Sequence, residues 1–170
     1  MIRPILAGLL AGVLIVGGAS LTARGAHAGH DYPEARSYSV TSDPMGDVDQ
    51  ALALANENEK RVMLVMGANW CHDSRALAGW LATDRFKALI EREYELVFVN
   101  VGMPQTGDGH NIAIAERFGL EELPGTPNLL VLTAQGELIN ADTATTWRNS
   151  ASREEDAIYS ELEALASKAA

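Results

Sequence analysis

The chain has 170 residues, 47% of them hydrophobic and 21% charged, with 13 basic and 23 acidic side chains and a formal charge of −10 at neutral pH. That balance describes one globular domain and excludes a disordered chain, while a single cysteine excludes a disulfide scaffold. The negative charge, with basic residues scattered singly, also argues against nucleic acid and anionic lipid as partners.

Residues 1–28 read as a cleaved secretory signal. Met1, Ile2 and Arg3 make a short positive start, residues 5–19 are apolar, and Ala26-His27-Ala28 supplies small residues at a peptidase site, with the cut expected after Ala28. An apolar run of about 15 residues, broken by Gly8, Gly12, Gly17 and Gly18, falls short of the roughly 20 that span a bilayer. No stable membrane anchor is therefore expected after cleavage, and the mature protein is placed in a periplasm or outside the cell. Loss of Arg3 and Arg24 with the signal leaves the mature chain more acidic still. An oxidising compartment favours paired cysteines, yet Cys71 stands alone and cannot form an internal disulfide. It is a reactive thiol, an intermolecular partner or a buried small hydrophobe.

Residues 29–42 show no period and are predicted to be an extended leader, with the domain proper at 43–170. Ser42-Asp43-Pro44 offers a helix start, and Val48, Leu52 and Ala55 follow at helical spacing. Residues 61–66 (RVMLVM) are a short apolar run bounded by Gly67, suited to a central strand. Leu77, Trp80 and Leu81 then recur at helical intervals, with Trp80 turned to the core, so Cys71 falls at a strand-to-helix junction. A further helix runs through Phe86, Leu89 and Ile90, and residues 95–101 (ELVFVNV) read as a second strand. Residues 102–109 are a turn-rich loop, and residues 111–118 are a short helix ended by Gly119. Residues 129–132 and 137–140 are predicted to pair as a hairpin across Ala134-Gln135-Gly136. Ser152-Arg153-Glu154-Glu155 reads as a capping box opening a last helix with Ile158, Leu162 and Leu165 inward. Helices alternating with strands imply an α/β fold, a central mixed sheet flanked by helices.

A thiol at a helix N-terminus faces unsatisfied backbone N–H groups and the positive end of the helix dipole, which favours a nucleophilic sulfur. A protonated His72 adds to this effect and Asp73 opposes it. The strand, then Trp70-Cys71-x-x-Ser74 opening a helix, then Gly125-Thr126-Pro127 leading into a later strand, resembles the thioredoxin superfamily over residues 43–166. The resemblance implies the thioredoxin fold, a cis peptide bond at Pro127 lying against Cys71, and backbone groups of Thr126 offered to an extended substrate strand. It also implies that Trp70 and His72 form part of the client surface.

The departures from that family are as informative. Dithiol thioredoxins carry a second cysteine where this chain has Ser74, and a buried carboxylate where it has Val65, so the resolving thiol and the acid that serves it are missing together. A one-cysteine site can still exchange disulfides with protein or small-molecule thiols, as an isomerase or a deglutathionylating enzyme, with Cys71 and Ser74 as the catalytic pair and no cofactor. Ser74 has two roles open to it, a hydrogen bond to the sulfur or a cap on the helix. The other reading is a client-binding or chaperone-like module without turnover, similar to the anterior gradient branch. His72, Asp108 and His110 invite a metal, but no second thiolate accompanies them and none is expected. Trp147 is read either as a partner contact or as a cover for the last helix.

Overall fold

The structure, a computed structural model, describes residues 32–169. The signal segment, its cleavage site and the first three residues of the leader lie outside the described residues. In chain order the elements are α1 (Pro44–Asn58), β1 (Arg61–Gly67), α2 (His72–Leu81), α3 (Asp84–Glu93), β2 (Tyr94–Asn100), β3 (Gly102–Met103), β4 (Asp108–Gly109), α4 (Ile112–Arg117), β5 (Asn128–Leu132) and α5 (Glu155–Ser167). Short 3-10 turns lie at Pro104–Thr106 and Ser150–Ser152.

β1 is the middle strand of a three-stranded sheet ordered β2-β1-β5. β2 runs parallel to it, with Arg61 opposite Tyr94, and β5 runs antiparallel, with Val62 opposite Leu132 and Met66 opposite Asn128. Both faces of β1 are covered, which is why its sequence is a continuous apolar run and not an alternating one. Met63 and Val65 point with Leu129 and Val131 into a core built on Leu77, Phe86, Leu89 and Leu162 of α2, α3 and α5. Val62, Leu64 and Met66 point the other way, onto Val48, Ala55 and Ile114 of α1 and α4. The result is the mixed sheet flanked by helices that the element order predicts. Among the described residues no helix is long and apolar enough to cross a membrane.

Four local expectations are corrected. The hairpin after β5 forms only in its first rungs: Leu132 bridges Leu138 antiparallel, Thr133 N–H donates to the Glu137 carbonyl at 2.9 Å and Ile139 N–H to the Val131 carbonyl at 3.0 Å, but residues 137–140 form no regular strand. The buried Asn140 side chain takes the strand's place: Val131 N–H donates to its Oδ1 at 2.8 Å and its Nδ2 donates to the Leu129 carbonyl at 2.9 Å. The capping box is also absent. Ser152 belongs to a 3-10 turn, where its hydroxyl donates to the Asn149 carbonyl, and α5 starts two residues later than expected, with Glu154 at its cap and no side-chain cap bond. Residues 102–109 are more ordered than a loop, since β3 and β4 pair antiparallel around the 3-10 turn.

The fourth correction is the leader. Residues 32–42 are extended, but they are part of the domain. Tyr38 is buried in the core, its hydroxyl donates to the Ser74 carbonyl at 3.2 Å, and its own backbone exchanges hydrogen bonds with the Asn69 side chain. Ala35 N–H donates to the Arg75 carbonyl at 3.0 Å. The segment crosses α2 at Gly79, where a Cβ would stand 2.1 Å from the Pro33 carbonyl oxygen, so only glycine permits this approach. A lone aromatic in an aperiodic stretch carries no periodic signal, which is why composition alone leaves this strap out of the domain. Of the two roles open to Trp147 the structure shows the second: it is fully buried in the same core as Ile158 and Leu162, with the Arg153 guanidinium 4.3 Å above its ring.

Replacing Tyr38 by Phe should cost about 1 kcal/mol for the lost hydrogen bond, and replacement by Ala about 3–5 kcal/mol for the cavity, both read from urea unfolding. Burial pushes the Tyr38 and Tyr94 phenols above their ordinary value. The folded state therefore holds these protons more tightly than the unfolded chain does, and the stability they contribute is complete below pH about 10 and lost as pH rises beyond it. Urea midpoints measured from pH 8 to 11.5 should fall above pH about 10, and less steeply in Tyr38→Phe.

Candidate active site around Cys71

β1 ends at Gly67, residues 68–70 turn, and Cys71 occupies the N-cap of α2 with extended backbone, φ −80° and ψ 127°. The turn closes on a 3.1 Å bond from Cys71 N–H to the Ala68 carbonyl, and the Cys71 carbonyl accepts the Arg75 N–H at 3.1 Å. Cys71 is a free thiol, 7% exposed, and its Sγ lies 3.3 Å from the Thr126 carbonyl oxygen, to which the S–H donates. The sheet explains this meeting of residues 55 apart. Because Met66 pairs with Asn128, the chain leaving β1 and the chain entering β5 stand at the same end of the sheet. The Thr126–Pro127 peptide bond is cis. Asn128, fully buried, donates from Nδ2 to the Gly125 carbonyl at 2.7 Å and braces that loop. The Thr126 hydroxyl is buried without a hydrogen-bond partner among the described residues.

Ser74 takes neither of the roles open to it. It is completely buried, its Oγ accepts a long 3.4 Å contact from Ala68 N–H, and no side chain caps α2. Val65 is buried in the core on the strand before it. Trp70 is 49% exposed, and its indole N–H donates to the Gly102 carbonyl at 3.0 Å, tying the rim of the site to the β3–β4 hairpin. His72 is exposed and its Nε2 lies 3.1 Å from Asp73 Oδ2. The structure thus brings Trp70, Cys71, His72, Thr126 and Pro127 together at one end of the sheet and puts Ser74 beneath them.

Three residues hold this arrangement in roles that sequence reasoning missed, with Asp73 legible there only as a charge beside the thiol. Arg75 donates from Nη1 to the Asn69 and Trp70 carbonyls at 3.2 and 3.0 Å, and from Nε to Glu34 at 3.0 Å, so it fixes the turn before the thiol and ties it to the N-terminal strap. Asp73 is buried, and its Oδ1 accepts the Ala151 N–H at 2.8 Å, clamping α2 to the 3-10 turn before α5. Asn100 accepts the Gly102 N–H and contacts His110 Nε2 through one oxygen, at 3.0 and 3.1 Å, which sets the hairpin beneath Trp70. Spacing could have flagged Arg75, one turn past Cys71 on the same helix. The other two act across the fold and leave no local signal. Among the described residues no group of three or more His, Cys, Asp and Glu could hold a metal ion.

A family model described as thioredoxin-like matches residues 43–134, more than half of the chain. Among solved structures the chain is similar to the crystal structure of a disulphide isomerase from Xylella fastidiosa Temecula1, at 28% sequence identity and a TM-score of 0.68, covering 76% of this chain and 95% of that one. No curated protein matches.

Asp73→Ala should destabilise the domain by about 1–3 kcal/mol, since it leaves the Ala151 N–H without its partner in a half-buried position. Asp73→Asn, which keeps an acceptor, should lose less, and urea unfolding of the two variants measures the difference.

Proposed function

The chain belongs to the thioredoxin-like family, and from that premise and the surroundings of its one thiol we propose that it is an exported protein performing thiol-disulfide exchange through Cys71. The observation that carries the reading is Cys71 Sγ at the head of α2, 3.3 Å from the carbonyl of Thr126 beside the cis peptide bond. The disulphide isomerase activity named for the similar Xylella structure points the same way.

In this reading the Cys71 thiolate attacks one sulfur of a client disulfide. The client S–S bond breaks, its other sulfur leaves as a thiolate and takes up a proton, and a mixed disulfide joins Cys71 to the client. A second thiolate, from the client or a small thiol, then attacks that bond and frees Cys71. With Ser74 at the position of a resolving thiol, no intramolecular release follows, so the cycle isomerises disulfides or passes them on and performs no autonomous reduction. The backbone of Thr126 pairs with an extended client strand, while Trp70, His72 and Pro127 line its path. Ser74 contributes packing under the site, and the fully buried Ser74 hydroxyl takes no part in the transfer. Export rests on the signal-like residues 1–28.

One observation favours the alternative of a client-binding module without turnover. Cys71 is 7% exposed and its S–H is already engaged with Thr126. The two readings separate in Cys71→Ser. Exchange requires the variant to fall to background on a scrambled or glutathionylated substrate, with the wild-type mixed disulfide visible by mass spectrometry at Cys71. A binding module keeps its client affinity in the variant, and equal turnover by Cys71→Ser would overturn the exchange reading.

A further inference from the structure

A cavity opens next to the N-terminus of α2, on the side of His72 and Asp73. It holds about 410 Å³ and is lined by Tyr32, His72, Asp73, Arg148, Asn149 and Ser152, a volume within the range of small-molecule sites, about 300–1,000 Å³. Arg148 reaches it from beyond the residues that the family model matches, so this wall is a feature of this chain's own C-terminal part. Its guanidinium is held in place by carbonyls. Nε donates to the Thr145 carbonyl at 3.3 Å and Nη1 to the Pro124 carbonyl at 3.4 Å. Its Cδ lies 3.0 Å from the point where a Cβ on Gly125 would stand, so the side chain lies flat across the loop that carries Thr126 to Cys71.

The charge at Arg148 is unspent. Arg75, Arg85, Arg92, Arg117 and Arg153 are each paired with a carboxylate, whereas Arg148, like Arg36 and Arg61 elsewhere on the fold, forms no ion pair among the described residues, and of these three it alone lines the cavity. Asp73 lines the same cavity, but its carboxylate is engaged, with Oδ1 on the Ala151 N–H and Oδ2 on His72. In a chain of net charge −10, an exposed and unpaired guanidinium at the edge of the reactive thiol is a local exception. It presents planar N–H donors suited to a carboxylate.

We propose that Arg148 is a specificity residue for the exchange reaction, holding a carboxylate of a glutathione group that is disulfide-linked to the client. This rests on the exchange reading above. Glutathione fits for two reasons: it carries a carboxylate at each end and is small enough for the cavity, and it supplies the free thiol that a one-cysteine site lacks. The Cys71 thiolate attacks the glutathione sulfur, the client sulfur leaves as a thiolate and is protonated, and Cys71 is left disulfide-bonded to glutathione. A second glutathione thiolate attacks that bond, which returns the Cys71 thiolate and gives glutathione disulfide. The number of disulfides is unchanged: the client sulfur returns to the thiol, the glutathione sulfur it was bound to stays in a disulfide, and the second glutathione thiol is the one oxidised.

The test compares one peptide cysteine blocked either by glutathione or by neutral mercaptoethanol, with glutathione as the second thiol, in the wild type, Arg148→Gln and Arg148→Lys. The readout is the ratio of kcat/KM for the two blocked peptides. Arg148→Gln should lower that ratio about tenfold, the loss of one charge-assisted hydrogen bond, and Arg148→Lys should restore part of it. An unchanged ratio in Arg148→Gln, with both peptides turned over, overturns the role of Arg148 and leaves exchange standing. No turnover of either peptide by the wild type overturns this inference, and the Cys71→Ser comparison on a scrambled disulfide substrate decides the exchange reading separately.

Discussion

The pairing of β1 on both of its edges is the constraint on which the rest depends. Seven residues register against β2 on one side and five against β5 on the other. The strand has no freedom to slip, because a shift of one residue would turn Met63 and Val65 into the core that Leu64 and Met66 now fill. That fixed register determines where the chain leaves the sheet at Gly67 and where it enters again at Asn128. The contact between Cys71 and Thr126 is therefore a property of the sheet before it is a property of either loop. A short turn, a helix cap and a carbonyl are enough to finish it.

Around that contact the fold is braced from three directions. Arg75 holds the turn and the N-terminal strap, Asp73 holds the turn before α5, and Trp70 holds the β3–β4 hairpin. Asp73 and Trp70 end on backbone, and Arg75 ends on two backbone carbonyls and the Glu34 carboxylate, so the main chain around the thiol is held while Trp70 and His72 keep exposed faces at the rim. The second position of the motif shows the same economy in reverse. Ser74 is wholly enclosed by Ala68, Tyr38 and the helix itself, and Val65 behind it is apolar. Nothing beneath the thiol is arranged to move a proton to or from a second sulfur.

Most of the helices and strands, and the junction that carries Cys71, are legible in the sequence because their signals are local. A buried central strand is a run of apolar residues, and a helix start is a proline after an acid. The features that sequence missed are those in which a side chain does the work of backbone or the partner is far away. Asn140 closes the edge of β5 with its amide, and no pattern distinguishes such an asparagine from a turn residue. Tyr38 joins the core from an aperiodic segment, and Glu34 finds Arg75 across 41 residues. Ser152 has the spacing of a capping box, but a 3-10 turn that hands Ala151 to Asp73 holds it outside the helix. Tertiary contact outweighed local preference there. Of the residues around the thiol, motif spacing reached Trp70, Cys71, His72, Thr126 and Pro127, while Arg148 lies in a stretch with no motif at all.

The two borders of the sheet are finished differently. On β5 the Asn140 amide, the Ala144 carbonyl and the Ile139 N–H occupy the outward backbone groups of Leu129 and Val131. β2 has no strand on its far side among the described residues, and its side chains from Glu95 to Phe98 are only partly covered. Unpaired amides and carbonyls in a row are a template for another chain. Self-association by strand addition, in a concentrated or partly unfolded sample, therefore has β2 as the open border of the three-stranded sheet among the described residues, where the brevity of the strand and the Lys60–Glu95 ion pair stand against it.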